Sequence, residues 1–350
     1  MNLPQFDTEL DNHAPDGICV VTDSNLTGSA VGGLITTVKT RFDGIPVHSM
    51  TLKGGEAVKT PETLTQIWSL WQEQGLSRSS LVIAAGGGTI TDVVGFAAST
   101  FKRGLRWIAV PTTLLCMVDA AIGGKTGINA AGIKNLAGSF WPPLAVWTQP
   151  VWLNTLPEIE LWNGWMEMAK HALVGDAQSW GQTSATSPLR ATTDELFQWA
   201  LRSAAFKQQI VANDPVEKGE RKILNLGHTL AHAIEACSHE DESGSGSAAI
   251  PHGIAVGWGM RWSLRWSAHT FPTFAAELHA SEVVLTRWLE EAHWGQRPAF
   301  AADALWQKML GDKKNRSGVV LDIALEGIGR PKWDQAVSWE VFESVWQQLD

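Results

Sequence analysis

Five apolar residues, Leu81-Val82-Ile83-Ala84-Ala85, run straight into Gly86-Gly87-Gly88-Thr89, and a helical pattern follows from Ile90 to Thr100. No other stretch constrains the chain as much. A short apolar run bounded by turn signals reads as a buried strand. A strand that turns through glycines into a helix belongs to a parallel sheet wrapped by helices. The turn also gathers backbone N–H groups and the positive end of a helix at one spot, which suits a pyrophosphate. The pattern is not G-x-G-x-x-G, so a plain tight turn stays open as the other reading. Asp92, one turn into the helix, is placed to cap it or to reach a ligand hydroxyl.

The flanking segments repeat the alternation. Gly17–Thr22 reads as a first buried strand with Asp23 and Ser24 at its turn, residues 28–40 as a helix, and Ile45–Leu52 as extended. Pro61 opens a helix to about Gln74, with Ile67, Leu70 and Trp71 at helical spacing and Gly75 at its end. Arg106–Val110 is a further strand running into Pro111-Thr112-Thr113. Residues 1–155 are therefore predicted to form an α/β domain with a parallel doubly wound sheet, Rossmann-like and dinucleotide-binding. From Leu153 onward the strand signal fades. Leu156–Val174, Leu196–Ala212, Leu226–Ala236, Ile254–Ala268, Ala275–Glu291 and Phe300–Leu310 read as helices, making residues 156–350 a mainly α-helical domain. Thr183–Thr193 and Glu240–Ala249 read as solvated, mobile loops.

Composition narrows the class. A chain of 350 residues has room for two domains. Its net charge of −9 argues against nucleic acid or anionic lipid as a partner. No apolar run approaches the roughly 18 residues of a membrane span, and the acidic N-terminal stretch lacks the apolar core of a signal peptide. Cys19, Cys116 and Cys237 have no C-x-x-C spacing and read as reduced core thiols of a cytoplasmic protein. An acidic chain can still bind an anionic substrate if its few cations converge. With 19 tryptophans and no tyrosine, the chain has no phenolic acid or base to offer.

The chemistry-bearing residues lie in both halves. Gly123-Gly124-Lys125-Thr126 ends like a P-loop, but Asp119 stands where that motif needs its first glycine, which argues against an ATPase. Lys125 and Lys134, the latter followed by Asn135, sit among small residues that let backbone approach a ligand. In the second half His228 and His232 are at i and i+4, one face of a helix. His252 opens another helix, and Glu167 with Lys170 lies on a third. Two neutral imidazoles and one carboxylate form a three-ligand set with a position left for substrate, the pattern of catalytic Zn²⁺. Ordinary core or surface histidines are the competing reading. Spacing alone leaves open the roles of Lys207, Arg221 and the Lys313-Lys314 pair.

In this order the motifs resemble the 3-dehydroquinate synthase family of sugar phosphate cyclases. The resemblance runs from Asp23-Ser24-Asn25 to Asp312-Lys313-Lys314-Asn315. It is strongest in GGGTITDVVGF, VPTTLLCMVDAAIGGKTGIN, EMAKHALVGD, ERKILNLGHTLAHAIE and HGIAVGWGM. It implies metal ligands at Glu167, His228 and His252. It implies NAD contacts at Asp23, Asn25, Glu56, Lys59, Gly86, Gly87, Gly88, Thr89, Asp92, Thr112, Thr113, Lys125, Lys134, Trp152 and Thr155. Substrate and catalytic groups would be Arg103, Asp119, Lys125, Lys134, Asn135, Lys170, Lys207, Glu217, Arg221, Asn225, His232 and Lys313 or Lys314. Ile254 stands where the family's commonest form has Glu, and His171 where Tyr is frequent.

The implied enzyme is a carbon–oxygen lyase using NAD and a divalent metal, Zn or Co. It would convert 3-deoxy-D-arabino-heptulosonate 7-phosphate to 3-dehydroquinate and phosphate, in the shikimate pathway to aromatic amino acids. NAD⁺ would take a hydride, phosphate would leave by β-elimination, the same NADH would return the hydride, and an aldol closure would follow. The family reading also implies a cytoplasmic homodimer with a small sugar phosphate carboxylate as substrate. It implies no nucleic-acid or membrane partner. Two other activities share part of the residue set. A cyclase acting on a sugar phosphate without a carboxylate would not need Lys207, Arg221 and Lys313-Lys314. A metal- and NAD-dependent polyol dehydrogenase would not need the two lysines and Asn135. Phosphate-handling residues fall in both halves, so substrate is expected to close one domain on the other.

Overall fold

β1 (Ile18–Asp23), β3 (Leu81–Gly86) and β4 (Arg106–Pro111) are buried along nearly their whole length, and β2 (Val47–Leu52) is half-exposed. Strands buried on both faces pair in parallel beneath helices on either side. The computed structural model describes residues 14–245, 249–311 and 318–349, and divides into two compact units, Met1–Leu156 and Pro157–Asp350. Lys313 and Lys314 lie outside the described residues.

In the first unit the helices between the strands begin where the sequence places its caps. α1 (Gly28–Arg41) starts at Thr27, whose hydroxyl accepts from the Ala30 amide. α2 (Pro61–Glu73) starts at Thr60 with proline at its first position and stops before Gly75, which has φ +73°. α3 (Gly88–Thr100) has Gly87 as its N-cap. A hairpin follows, β5 (Lys125–Ala130) against β6 (Ile133–Phe140), joined by Ala131-Gly132 at φ +49° and +74°. Both turn residues are left-handed, as a two-residue hairpin turn demands. The ladder pairs Lys125 with Phe140 and Ala130 with Ile133, and its register shifts between Ile128 and Ala130, where Asn129 alone on β5 stands against Lys134, Asn135 and Leu136 on β6. The sequence reading gave this stretch no secondary structure, so the hairpin is new here. Finally β7 (Ala145–Val146) completes a five-stranded sheet, order β2-β1-β3-β4-β7, with every neighbouring pair parallel.

The second unit is mainly helical: α4 (Glu158–Gly175), α5 (Ala177–Ser184), α6 (Thr193–Asn213), α7 (His228–Ser245), α8 (His252–Thr270), α9 (Ala275–Glu291) and α10 (Ala302–Leu310). An antiparallel hairpin, β8 (Val320–Leu325) with β9 (Pro331–Val337), and α11 (Trp339–Gln347) follow. Neither hairpin strand was foreseen. Two loop expectations are corrected. Residues 240–245 continue α7, where Glu240 pairs with Lys308 of α10. Within Thr183–Thr193, Ser187 and Pro188 are buried, and the Thr186 carbonyl accepts from the Trp288 indole at 2.8 Å. Tryptophans fill much of this unit's core; Trp165 and Trp288 meet edge to face at 5.6 Å.

Glycines set how closely three helices cross. A Cβ on Gly253, at the start of α8, would collide with the backbone of Asn163 on α4. One on Gly259 would overlap the carbonyl of Gly227, which itself has φ +76° just before α7. So α7 lies directly on α8, and α8 on α4. Among the described residues no helix is long and apolar enough to cross a membrane. Gly259→Ala should lower unfolding free energy by about 1–3 kcal/mol, because the obstacle is backbone and cannot rotate away. Denaturant unfolding measures it, and an unchanged midpoint would count against this crossing.

Candidate active site

In the first unit the candidate residues gather at the carboxyl ends of the parallel strands. The register aligns Thr22 with Ala85 and Gly86 with Pro111, so Asp23, the Gly86–Thr89 turn and Thr112-Thr113 emerge along one edge of the sheet. That edge is where open α/β sheets bind ligands. The Asp23 carboxylate accepts from the Asn25 amide at 2.8 Å, and a Cβ at position 54 would press on both of these side chains. A Cβ on Gly87 would lie 3.2 Å from the Thr113 methyl, and one on Gly88 3.0 Å from Ala120. These glycines serve close approach rather than unusual backbone angles.

Lys59 ties the turn to the hairpin. Its buried ammonium donates to Asp92 Oδ2 at 2.8 Å and to Asn135 Oδ1 at 2.5 Å. Asn129, at the bulge, donates from Nδ2 to Glu56 Oε1 at 2.8 Å and accepts from the Asn135 amide at 2.8 Å. Its own amide bonds the Lys59 carbonyl at 2.8 Å. Glu56, Lys59, Asp92 and Asn135 are thus one polar network, with Asn129 as the member that sequence reasoning missed. Lys125 and Lys134 are exposed on the two hairpin strands. Asp119 lies half-buried in a π-helical turn, Cys116–Ala120; Arg103 is exposed with φ +69°. Trp152 is buried and Thr155 exposed on a short 3₁₀ helix, Pro150–Thr155.

In the second unit Glu167 has no exposed surface. Its Oε1 is 3.3 Å from His228 Nε2 and 3.1 Å from His252 Nε2. Ligand atoms of Glu167, His228 and His252 lie within 4.8 Å of one another, a spacing one metal ion could bridge. Lys170, one turn on and also buried, pairs with Glu167. Behind the rings, His228 Nδ1 faces the Leu226 carbonyl at 3.2 Å and His252 Nδ1 faces Glu235 Oε1 at 3.3 Å. Both imidazoles therefore turn Nε2 toward the carboxylate. His232 is exposed, with its ring 5.6 Å from that of His228.

Burial opposes the Glu167 charge, yet Lys170 and the two imidazoles outweigh it and hold the carboxyl well below its usual range. Burial, and then the charge of Lys170, pushes His228 down to about 3. Burial also works against a charged His252, but the hydrogen bonds to Glu167 and Glu235 prevail and push it up to about 10.

The second unit also holds the remaining polar candidates. Lys207 is buried on α6; Arg221 is buried on a 3₁₀ turn, Glu220–Asn225, and donates to the Pro215 carbonyl at 2.7 Å. Asn225 donates to Glu217 Oε1 at 2.6 Å. His171 is buried with Nδ1 2.7 Å from the Ser203 hydroxyl, and Ile254 is fully buried.

Models of the 3-dehydroquinate synthase N-terminal and C-terminal regions match residues 49–163 and 164–315. A 3-dehydroquinate synthase of Parabacteroides distasonis is 37% identical, across 87% of this chain and 84% of that protein. Another, of Halalkalibacterium halodurans, is 37% identical across 99% of this chain and 91% of its own length. The chain belongs to the 3-dehydroquinate synthase family. Its fold matches that of the solved 2-epi-5-epi-valiolone synthase from Streptomyces hygroscopicus with NAD⁺ and Zn²⁺ bound. That match has a TM-score of 0.79 and 25% identity, over 99% of this chain and 95% of that one.

Within the family's motifs, Glu235 closes the sequence ERKILNLGHTLAHAIE and went unremarked. It stands at i+7 from His228 and i+3 from His232, on the same helical face, a spacing that was there to be read. The opposed imidazoles give a testable pair. In chelator-treated protein His252 should stay protonated up to about pH 10 and His228 neutral down to about pH 3. His252 adds stability below its ordinary 6.5 that is lost as pH rises toward 10, and His228 removes stability as pH falls from 6.5 toward 3. Nitrogen NMR of the imidazoles reads both, and two rings titrating together near 6.5 would overturn this assignment.

Proposed function

We propose that the chain is a 3-dehydroquinate synthase, a carbon–oxygen lyase releasing phosphate from 3-deoxy-D-arabino-heptulosonate 7-phosphate to form 3-dehydroquinate. The observation that carries the reading is the convergence of Glu167, His228 and His252 in a chain of this family. In this reading residues 1–155 form the NAD-binding domain and residues 156–350 the metal- and substrate-binding domain. The NAD⁺ and Zn²⁺ of the valiolone synthase support the cofactor pair. When bound, the metal would acidify a substrate alcohol, and NAD⁺ would accept and later return its hydride.

The chain's own residues would do the following. Glu167, His228 and His252 would hold the metal, with Lys170 balancing the buried carboxylate. Asp23, Asn25, Glu56, Lys59, the Gly86–Asp92 turn, Thr112, Thr113, Trp152 and Thr155 would hold the dinucleotide. Lys125, Lys134, Asn135 and His232 would position the phosphate, whose own oxygen would serve as the base. Lys207 and Arg221 would take the carboxylate, the guanidinium by paired hydrogen bonds. Arg103, Asp119, Glu217 and Asn225 would complete the polar lining, with Lys313 or Lys314 from outside the described residues.

The test is phosphate release from the seven-carbon keto acid phosphate with catalytic NAD⁺. Chelation should abolish turnover, with Zn²⁺ or Co²⁺ restoring it. Glu167→Ala should lose the metal, whereas His232→Ala should keep it and lose about 10²–10⁴-fold in rate. Stoichiometric NADH would instead favour a polyol dehydrogenase. Phosphate release from a sugar phosphate lacking the carboxylate, and not from the keto acid, would favour another cyclase. The family reading further makes the protein a cytoplasmic homodimer, and a single-chain mass by light scattering would contradict that.

A further inference from the structure

The two imidazoles facing Glu167 are held from behind by different acceptors. His228 Nδ1 meets the Leu226 carbonyl, part of the backbone just before α7. His252 Nδ1 meets a carboxylate, Glu235 Oε1, at 3.3 Å. Glu235 comes from α7, whereas His252 is the first residue of α8. The His252 side chain is 30% exposed, the least enclosed of the three ligand candidates, and Glu235 is 16% exposed. Glu235 is the contact that holds this ring from behind, opposite its Nε2 contact with Glu167 at 3.1 Å.

We propose that Glu235 is the positioning residue for His252. Its carboxylate accepts Nδ1–H, fixes the tautomer that leaves the Nε2 lone pair toward Glu167 and His228, and so sets the affinity for a divalent cation. This inference rests on the metal reading above. A ligand imidazole needs its second nitrogen protonated and anchored, and loss of such an anchor weakens metal binding by about 10–100-fold. His228 needs no such side chain, because a backbone carbonyl does the same work. One face of α7 thus serves both rings, with His228 as a ligand and Glu235, two turns on, as the anchor of the other.

The experiment measures Zn²⁺ affinity of chelator-stripped protein by competition with a chromophoric chelator, and records the visible spectrum of the Co²⁺ form. Glu235→Ala should bind Zn²⁺ about 10–100-fold more weakly and show an altered Co²⁺ spectrum. Glu235→Gln keeps an oxygen acceptor without the charge. It should fall between wild type and Glu235→Ala in affinity and restore the wild-type Co²⁺ spectrum. Lower thermal stability of Glu235→Ala with Zn²⁺ affinity and Co²⁺ spectrum unchanged would overturn the inference alone. Wild-type protein that binds neither ion would overturn the metal reading and this inference together.

Discussion

A carboxylate with no exposed surface, Glu167, governs the second unit. A buried ion left without partners costs several kcal/mol, so its surroundings must supply positive charge and hydrogen-bond donors. Lys170 supplies the charge from the same helix, one turn on. The imidazoles supply the rest, and they are short side chains. To bring His228 and His252 within 3.3 Å of one oxygen, the helices bearing them must almost touch. Gly227, Gly253 and Gly259 meet that demand by removing the atoms that would hold α4, α7 and α8 apart. The site thus dictates the packing as much as the packing presents the site.

The first unit follows a different constraint. Its parallel strands end together, which lines up Asp23, the glycine turn and Thr112-Thr113 along one edge of the sheet. Lys59 then binds the turn's helix to the hairpin through Asp92 and Asn135. A buried lysine joined to a carboxylate and an amide is a fixed strut, with little of the freedom that a surface lysine keeps.

Much of this was legible in the sequence, for stated reasons. The runs at Ile18–Asp23 and Leu81–Gly86 are continuous and apolar because both faces are covered. Pro61 and Gly75 bracket a helix as expected. The β5–β6 hairpin was illegible because Gly, Ala and Lys along it show no alternation, and its turn, Ala131-Gly132, lacks Asn-Gly or Asp-Gly. Residues 240–245 looked like loop because serine and glycine favour turns, yet the helix extends where Glu240 finds Lys308. Glu235 and Asn129 were overlooked because each acts through another residue rather than on a ligand. Glu167, His228 and His252 were named by the family resemblance and do come together in space, whereas the anchors behind them required geometry.

The register shift opposite Asn129 has a consequence for how such a chain can change in length. Side chains alternate faces along a strand, so one inserted or deleted residue between Lys125 and Lys134 would reverse the faces on which Lys134 and Asn135 lie relative to Lys125. The two-residue turn has no slack to absorb it, and Asn135 would part from Lys59. Insertions can accumulate beyond Phe140 or before Lys125 without that penalty. Within the hairpin, the number of residues is held as firmly as their identity.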